Sequence, residues 1–206
     1  MWLSALTTAS RPDDLELIVY RDFDDPSPWM IADKMTIICG DRIVLSRMWN
    51  ECWKKARGDI FMHCADDIVF QTPAWDDRVR EAFDAVPDRI AFVHGDDGYW
   101  GDRFGTHGFL SREWTDIIGH FVPPYFSSDY NDTWLNEVAN MIDRRVFIPI
   151  VTEHMHPAFG KGPMDVTHRE RLQRHLIDDC DARYVALDGE RAEWANRLRA
   201  VIRSST

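Results

Sequence analysis

Residues 56–70 read ARGDIFMHCADDIVF, and the fold expected for the rest of the chain follows from this stretch. A Gly-Asp pair precedes an apolar run over residues 60–65, and two adjacent carboxylates, Asp66 and Asp67, follow it. A short apolar run between polar residues is typical of a buried strand. Ligands of open α/β sheets bind at the carboxyl ends of such strands. We therefore expect Asp66 and Asp67 to lie in a candidate site, with a solvated turn as the alternative.

Strands and helices alternate on both sides of this stretch. Short apolar runs predict further strands at residues 15–20, 35–39, 90–93, 106–110 and 146–151. Amphipathic patterns predict helices at residues 46–55, 73–85 and 132–143. This alternation indicates an α/β fold in which helices cover both faces of a mainly parallel sheet.

The chain of 206 residues has the length of one large domain. We expect residues 1–165 to form the α/β domain. From Thr167 onward the sequence is charged and helical, with a capping-box pattern at its start. Residues 166–206 are therefore predicted to be a C-terminal helical extension packed on the same domain.

Composition excludes several classes of function. The formal net charge of -11 disfavours non-specific nucleic-acid binding, although a local acceptor patch for nucleic acid stays open. The four cysteines have no CxxC spacing, which favours free thiols in a reducing compartment. No signal-peptide pattern occurs and no apolar run approaches the ~20 residues of a membrane span, so we expect a cytoplasmic protein without membrane contact.

Three polar clusters each follow a predicted strand. They are Asp22 with Asp24 and Asp25, Asp66 with Asp67, and His154 with His156. In an extended segment alternate side chains share a face, so His154 and His156 are expected to point the same way. Carboxylate and imidazole ligands beside a phosphate-bearing ligand suit Mn²⁺ or Mg²⁺, whereas a closed zinc site requires more His or Cys.

Asp132 begins the predicted helix over residues 132–143. The simplest interpretation is an acidic residue that the helix dipole stabilises. The alternative is a general base. The GxxxxGK[ST], GxGxxG and GxSxG patterns are absent from the sequence, which argues against P-loop hydrolases, dinucleotide enzymes and serine hydrolases of the α/β class.

From about residue 15 to residue 168 the pattern resembles the family 2 glycosyltransferases with the GT-A fold, a Rossmann-like architecture. The middle signature of that family is similar to Asn50, Ala56, Gly58, Asp59, Asp66 and Asp67 in this sequence. Ala65 stands where the family often has its first Asp.

The resemblance implies roles for several residues of this sequence. Asp67 would bind the metal, and the histidines His154 and His156 would complete that site. Donor contacts are implied for Asp22, Asp24, Asn50 and Asp66. Asp132 is similar to the acid of the late "ED" motif and would be the catalytic base, with Asn131 in the place of the usual Glu.

The family normally begins with a strand that this sequence lacks. Compared with the family pattern, this sequence starts inside the following helix. Three explanations stay open: the sheet lacks that strand, a neighbouring molecule supplies it, or the true start lies upstream.

The function that the resemblance implies is a metal-dependent inverting glycosyltransferase that uses a nucleotide-diphosphate sugar, with UDP favoured. The acceptor would be a glycan, a small molecule, or a modified DNA base as in sugar-decorated phage genomes. Homo-oligomer formation is left open. The alternatives are a non-catalytic or degenerate module that binds sugar nucleotides, and a metal-dependent hydrolase.

Overall fold

The computed structural model describes residues 1–25, 34–164 and 166–204. The strands in these ranges are, in chain order, β1 (Leu17–Asp22), β2 (Met35–Gly40), β3 (Ile60–His63), β4 (Ile68–Phe70), β5 (Phe92–Asp96), β6 (Gly108–Ser111) and β7 (Arg145–His154). The helices are α1 (Trp2–Thr8), α2 (Leu45–Lys55), α3 (Trp75–Asp84), α4 (Arg112–Ile118), α5 (Asn131–Met141), α6 (Val166–Ile177), α7 (Cys180–Ala186) and α8 (Asp188–Ser204). The end of the predicted α/β domain, residue 165, lies outside the described residues.

The strands form two separate sheets. β1 and β2 pair in parallel, and the larger sheet has the order β3-β6-β5-β7-β4. Within the larger sheet β5 and β7 are parallel, whereas β6 runs antiparallel to both β3 and β5, and β4 runs antiparallel to β7. The expectation of a mainly parallel sheet is therefore wrong for the larger sheet, which is mixed. The connection between β5 and β6, residues 97–107, contains a short 3₁₀ turn but no α-helix, and without a helical crossover the chain returns in the opposite direction.

The larger sheet has a buried cluster of apolar side chains on each face. Phe92 packs in one cluster and Val93 in the other, because successive side chains of a strand point to opposite faces. The cluster around Phe92 includes Trp134 of α5 and Trp194 of α8. The cluster around Val93 includes Val79 of α3. Helices thus cover both faces, as the sequence predicts, and α8 contributes to the core.

A gap separates the two sheets. Among the described residues, β1 pairs with β2 alone and β3 pairs with β6 alone. A cavity of about 680 Å³ is lined by residues of both strands, by Trp49 and Trp53 of α2, and by Met1 and Trp2 at the start of the chain. The free edges of β1 and β3 therefore both border one largely apolar space.

All four cysteines are free, in agreement with the prediction from their spacing. Burial raises the pKa of the Cys52 thiol to about 11, so this thiol is protonated at neutral pH. None of the helices in the described ranges combines the length and the apolar character that crossing a bilayer requires.

Candidate active site

Three histidines meet at one edge of the larger sheet. His63 ends β3, His154 ends β7, and His107 immediately precedes β6. His63 lies opposite Gly108 in the β3–β6 pair, which brings His107 to the same edge because β6 is antiparallel to β3. His107 precedes its strand, whereas His63 and His154 end theirs. A purely parallel sheet would therefore place His107 at the opposite end, and the mixed sheet places all three at the same edge.

Asp67 and His154 form the most direct contact at this edge. Asp67 immediately precedes β4, and Ile68 pairs with His154 across the antiparallel β4–β7 ladder. The amide of Met155 also donates to the carbonyl oxygen of Asp67 at 2.9 Å. As a result Asp67 Oδ2 lies 3.3 Å from His154 Nε2. The structure thus brings together two of the three residues that the resemblance assigns to a metal.

The Asp67 carboxyl group is held in its charged form. Burial opposes this, but the hydrogen bond and the charge of His154 outweigh burial and leave the pKa of Asp67 below its ordinary value. Among the described residues, the buried atoms Asp67 Oδ1 and His154 Nδ1 have no hydrogen-bond partner. Each therefore has a lone pair or a proton that the described residues leave unused.

His107 was not anticipated from the sequence. Its ring centroid lies 4.6 Å from that of His154, in an edge-to-face arrangement, and 6.1 Å from that of His63. Neither ring nitrogen of His107 makes a hydrogen bond of ordinary geometry with a described residue. Burial, with smaller contributions from the charges of His154 and His63, holds the pKa of His107 well below its usual value. A neutral imidazole in this position is a potential metal ligand.

His156 lies just beyond the strand, on the same side as His154. The two ring centroids are 5.0 Å apart, and that of His168 on α6 is 4.8 Å from His156. His156 Nδ1 accepts a hydrogen bond from the amide of Ala158 at 3.1 Å. This bond fixes the ring and leaves Nε2 as the nitrogen that faces other groups.

The carboxylate oxygens and imidazole nitrogens at this edge suit a divalent cation, but they do not close around one. Among the residues that the structure describes, no three His, Cys, Asp or Glu side chains are arranged as a metal-binding set. Magnesium-type sites commonly use one or two protein ligands and take the remaining ligands from substrate phosphates and water. Asp67 and His154, with their unpartnered atoms, fit that kind of open site.

Asp132 lies in the first turn of α5, with its carboxylate accepting a hydrogen bond from the amide of Thr133 at 2.8 Å. Burial raises the pKa of Asp132 to about 6, and the nearby charge of Asp129 acts in the same direction. The Asn136 amide joins the Asp132 carbonyl to the main chain of Gly105, two residues before His107. Within the described part of the chain, the Asp132 carboxylate makes no hydrogen bond or ion pair with Asp67 or either predicted histidine ligand.

Asn50, an implied donor contact, is buried and fully used inside the protein. Its Nδ2 donates to the carbonyl oxygens of Ser46 at 2.7 Å and Val122 at 2.9 Å. Its Oδ1 accepts from the amide of Phe121 at 2.8 Å. The bonds to Phe121 and Val122 connect α2 to the segment after α4, so the Asn50 side chain holds these two parts of the main chain together.

Asp22 and Asp24, the other implied donor contacts, lie at the end of β1 and share Arg42. Arg42 Nε is 3.1 Å from both carboxylate oxygens of Asp24 and 3.8 Å from Asp22 Oδ2. The same guanidinium reaches Glu170 of α6 at 3.9 Å. This acidic pair is therefore partly neutralised, and it lies on the smaller sheet.

Asp66 and its neighbour Asp67 face different surroundings. Asp66 is exposed and lines the cavity between β1 and β3, whereas Asp67 is half-buried beside His154. The adjacent carboxylates thus lie in two separate regions of the molecule.

In comparisons with known proteins, no family model, curated protein or solved structure matches this chain.

Proposed function

We propose that the protein is a metal-dependent inverting glycosyltransferase that uses a nucleotide-diphosphate sugar, with UDP as the favoured nucleotide. The observation that carries the proposal is the contact between Asp67 and His154 at the strand edge. A charged carboxylate and an imidazole, each with an unpartnered buried atom, suit a site for a divalent cation and a diphosphate.

The leaving group determines what this site must do. A nucleoside diphosphate departs poorly until its negative charge is neutralised. Asp67 and His154 would hold Mn²⁺ or Mg²⁺, which when bound supplies that neutralisation. The rings of His107 and His156 lie beside this pair. His156, whose Nδ1 accepts a hydrogen bond, would donate from Nε2 to a phosphate oxygen, and His107 would donate likewise or add a ligand.

Asp132 is the proposed base. A carboxyl group with a pKa of about 6 is mostly ionised at pH 7, yet it is more basic than an ordinary Asp. It would take the proton of the acceptor hydroxyl while the oxygen attacks the anomeric carbon. The bond between that carbon and the diphosphate oxygen breaks in the same step, so the anomeric configuration inverts.

Calorimetry with UDP and UDP-glucose, in the presence and absence of Mn²⁺, tests the proposal. We expect Mn²⁺ to strengthen binding and the Asp67→Ala variant to lose that dependence. Asp116→Ala is the matched control, because Asp116 is an exposed Asp on α4 to which the resemblance gives no role. Binding that is independent of metal and unchanged in Asp67→Ala would overturn the site assignment.

A non-catalytic module that binds sugar nucleotides is the second candidate. The observation that favours it is that the Asp132 carboxylate makes no contact with the Asp67–His154 pair in the described residues. Such a module would bind UDP-glucose without ever hydrolysing it. Slow release of UDP without acceptor, lost in Asp132→Asn at unchanged UDP-glucose affinity, would instead identify an enzyme.

A further inference from the structure

Two exposed aromatic rings lie close to the candidate active site. Tyr99 and Trp100 follow β5 and have exposed fractions of 51% and 37%. Removing a large aromatic ring from water is favourable, so rings of this size that stay exposed often mark a binding surface. Their position next to the histidine edge makes them candidates for a ligand contact.

A buried carboxylate holds the main chain beneath these rings. Asp97 has an exposed fraction of only 2%, and its Oδ1 accepts hydrogen bonds from the amides of Tyr99 at 2.9 Å and Trp100 at 2.7 Å. Its Oδ2 accepts from the hydroxyl of Thr106. Burying a carboxylate costs free energy unless such bonds compensate it. The chain therefore fixes the backbone of two water-exposed aromatic residues with a buried acid.

The rings connect directly to the candidate metal ligands. Tyr99 stacks on Phe159 with ring centroids 4.2 Å apart and an interplanar angle of 14°. Phe159 in turn lies 5.8 Å from the rings of His154 and His156. The carbonyl oxygen of Asp97 accepts the amide hydrogen of His154 at 3.0 Å. Phe159, Tyr99 and Trp100 thus form a continuous surface, here called the aromatic ridge.

The charges around the ridge favour a neutral ligand. Two cations beside the ridge are already engaged: Lys161 contacts Glu153 at 2.9 Å, and Arg103 donates to the carbonyl oxygens of Tyr99 and Trp100 at 3.1 Å. The Arg103 guanidinium also lies over the Trp100 ring, 5.2 Å from its centre. Asp102 is exposed beside them. A nucleic acid needs available cations for its phosphates, whereas carboxylates and carbonyl groups accept hydrogen bonds from sugar hydroxyls.

We propose that the aromatic ridge binds a pyranose ring of a neutral glycan, which is the acceptor of the transfer reaction. This assignment rests on the proposed function. The part of the Trp100 ring that Arg103 leaves exposed presents an apolar surface to the C–H face of the sugar, and the surrounding carboxylate and carbonyl oxygens accept hydrogen bonds from its hydroxyls. The ridge then presents the glycan next to the Asp67–His154 edge.

Saturation-transfer NMR with cellohexaose, maltohexaose and chitohexaose tests this binding, with a hydroxymethylated single-stranded DNA as the competing ligand. We expect at least one glycan to bind, Trp100→Ala to weaken that binding about tenfold, and Trp100→Phe to weaken it less. Leu176→Ala on α6, where Leu176 is 78% exposed, is the control and keeps wild-type affinity. Wild-type binding to the DNA alone, or to no glycan at all, would overturn the proposal, as would glycan binding unchanged in Trp100→Ala.

UDP affinity, measured on the same samples, separates this proposal from the proposed function. Trp100→Ala should bind UDP with Mn²⁺ as tightly as the wild type, because the ridge contacts the acceptor only. A wild-type protein that binds a glycan at Trp100 but neither UDP nor UDP-glucose would overturn the assignment of the glycan as an acceptor. A protein that binds UDP but none of the glycans would overturn the ridge proposal alone.

Discussion

Asp67 Oδ2 lies 3.3 Å from His154 Nε2, although 87 positions of sequence separate the two residues (154 − 67). The antiparallel β4–β7 pair creates this contact, because Ile68 lies opposite His154. The carboxyl group of Asp67 has a pKa below its ordinary value, since burial, which would raise it, is outweighed by the hydrogen bond and charge of His154. Both the stability and the proposed ligand binding of the protein therefore depend on this contact.

Replacing Asp67 by Asn should lower stability in a pH-dependent way. A carboxyl group whose pKa is depressed by folding stabilises the native state above the unfolded-state pKa of about 3.9, and that contribution is lost as pH falls through the folded pKa. We expect Asp67→Asn to be about 1 kcal/mol less stable than the wild type at pH 6.5, and equally stable at the lowest pH where both still fold. Urea unfolding as a function of pH measures this difference. Asp59→Asn should match the wild type, and a difference that is constant with pH would contradict the prediction.

Replacing Asp132 by Asn should have the opposite sign. The pKa of Asp132 is raised to about 6, chiefly by burial, so the unfolded chain releases this proton more readily than the folded one. The group therefore destabilises the native state as pH rises from about 4 through 6. Asp132→Asn should be about 1–2 kcal/mol more stable at pH 7.5 and no more stable near pH 4.

The same substitution should abolish activity if Asp132 is the base. In the wild type, UDP release should fall below about pH 6, where Asp132 becomes protonated. Asp116→Asn, an exposed acid on α4, is the control and should leave both stability and turnover unchanged. An Asp132→Asn protein that turns over at the wild-type rate would remove Asp132 from the reaction, whatever its stability.

Replacing Asn50 by Ala should destabilise the fold without changing donor affinity. The substitution leaves the buried amide of Phe121 and the carbonyl of Val122 without their partner, at a cost of about 2–4 kcal/mol. Thermal unfolding measures the loss, and Asn196→Ala on the exposed face of α8 is the control. Calorimetry with UDP-glucose, well below the melting temperature, should give the wild-type affinity. A folded Asn50→Ala protein with weakened donor binding would instead support the contact that the family resemblance implies.

How much of the site could be predicted depended on the range of the interaction. The carboxylate pair was predicted at the end of a strand over residues 60–65, whereas β3 ends at His63 and the pair lies in the turn before β4. Asp67 reaches His154 because β4 pairs with β7. His107 carries no comparable local signal: it reaches His154 only because β6 runs antiparallel between β3 and β5. The directions of β6 and β4 are set by long-range pairing, which periodicity does not encode. Alternating strands and helices predicted the α/β class and the parallel pairs β1–β2 and β5–β7 correctly, but not the antiparallel directions of β4 and β6.

Asn50 illustrates a second limit. Its place in a helix was predicted, but a buried Asn and a ligand-binding Asn look the same in a sequence. Two of its three bonds depend on where residues 121–122 return to α2, which long-range folding decides. Similarly, the sequence predicts only a glycine-rich loop around Tyr99 and Trp100. The hydrogen bonds from their amides to the buried Asp97, which fix the loop backbone, are not evident from the sequence.

An added strand ahead of Met1 should stabilise the protein. The cavity of about 680 Å³ between β1 and β3 is bordered by one edge of each strand, and Met1 itself lines it. Within residues 1–25, 34–164 and 166–204 neither of these edges pairs with another strand, and such an edge next to an apolar space is a template for strand addition. A fusion of Val-Ile-Val-Ile-Val-Gly-Gly to the amino terminus should therefore enter the cavity, pair with both edges and raise Tm by roughly 5 °C. The control fusion has Pro at its second and fourth positions, since proline removes the amide donors that pairing needs. Hydrogen exchange should show slower exchange of the edge amides in β1 and β3 for the first fusion only. Equal Tm values for the two fusions would mean that the cavity does not accept a strand, because they share length and attachment point and differ in their capacity to form a ladder.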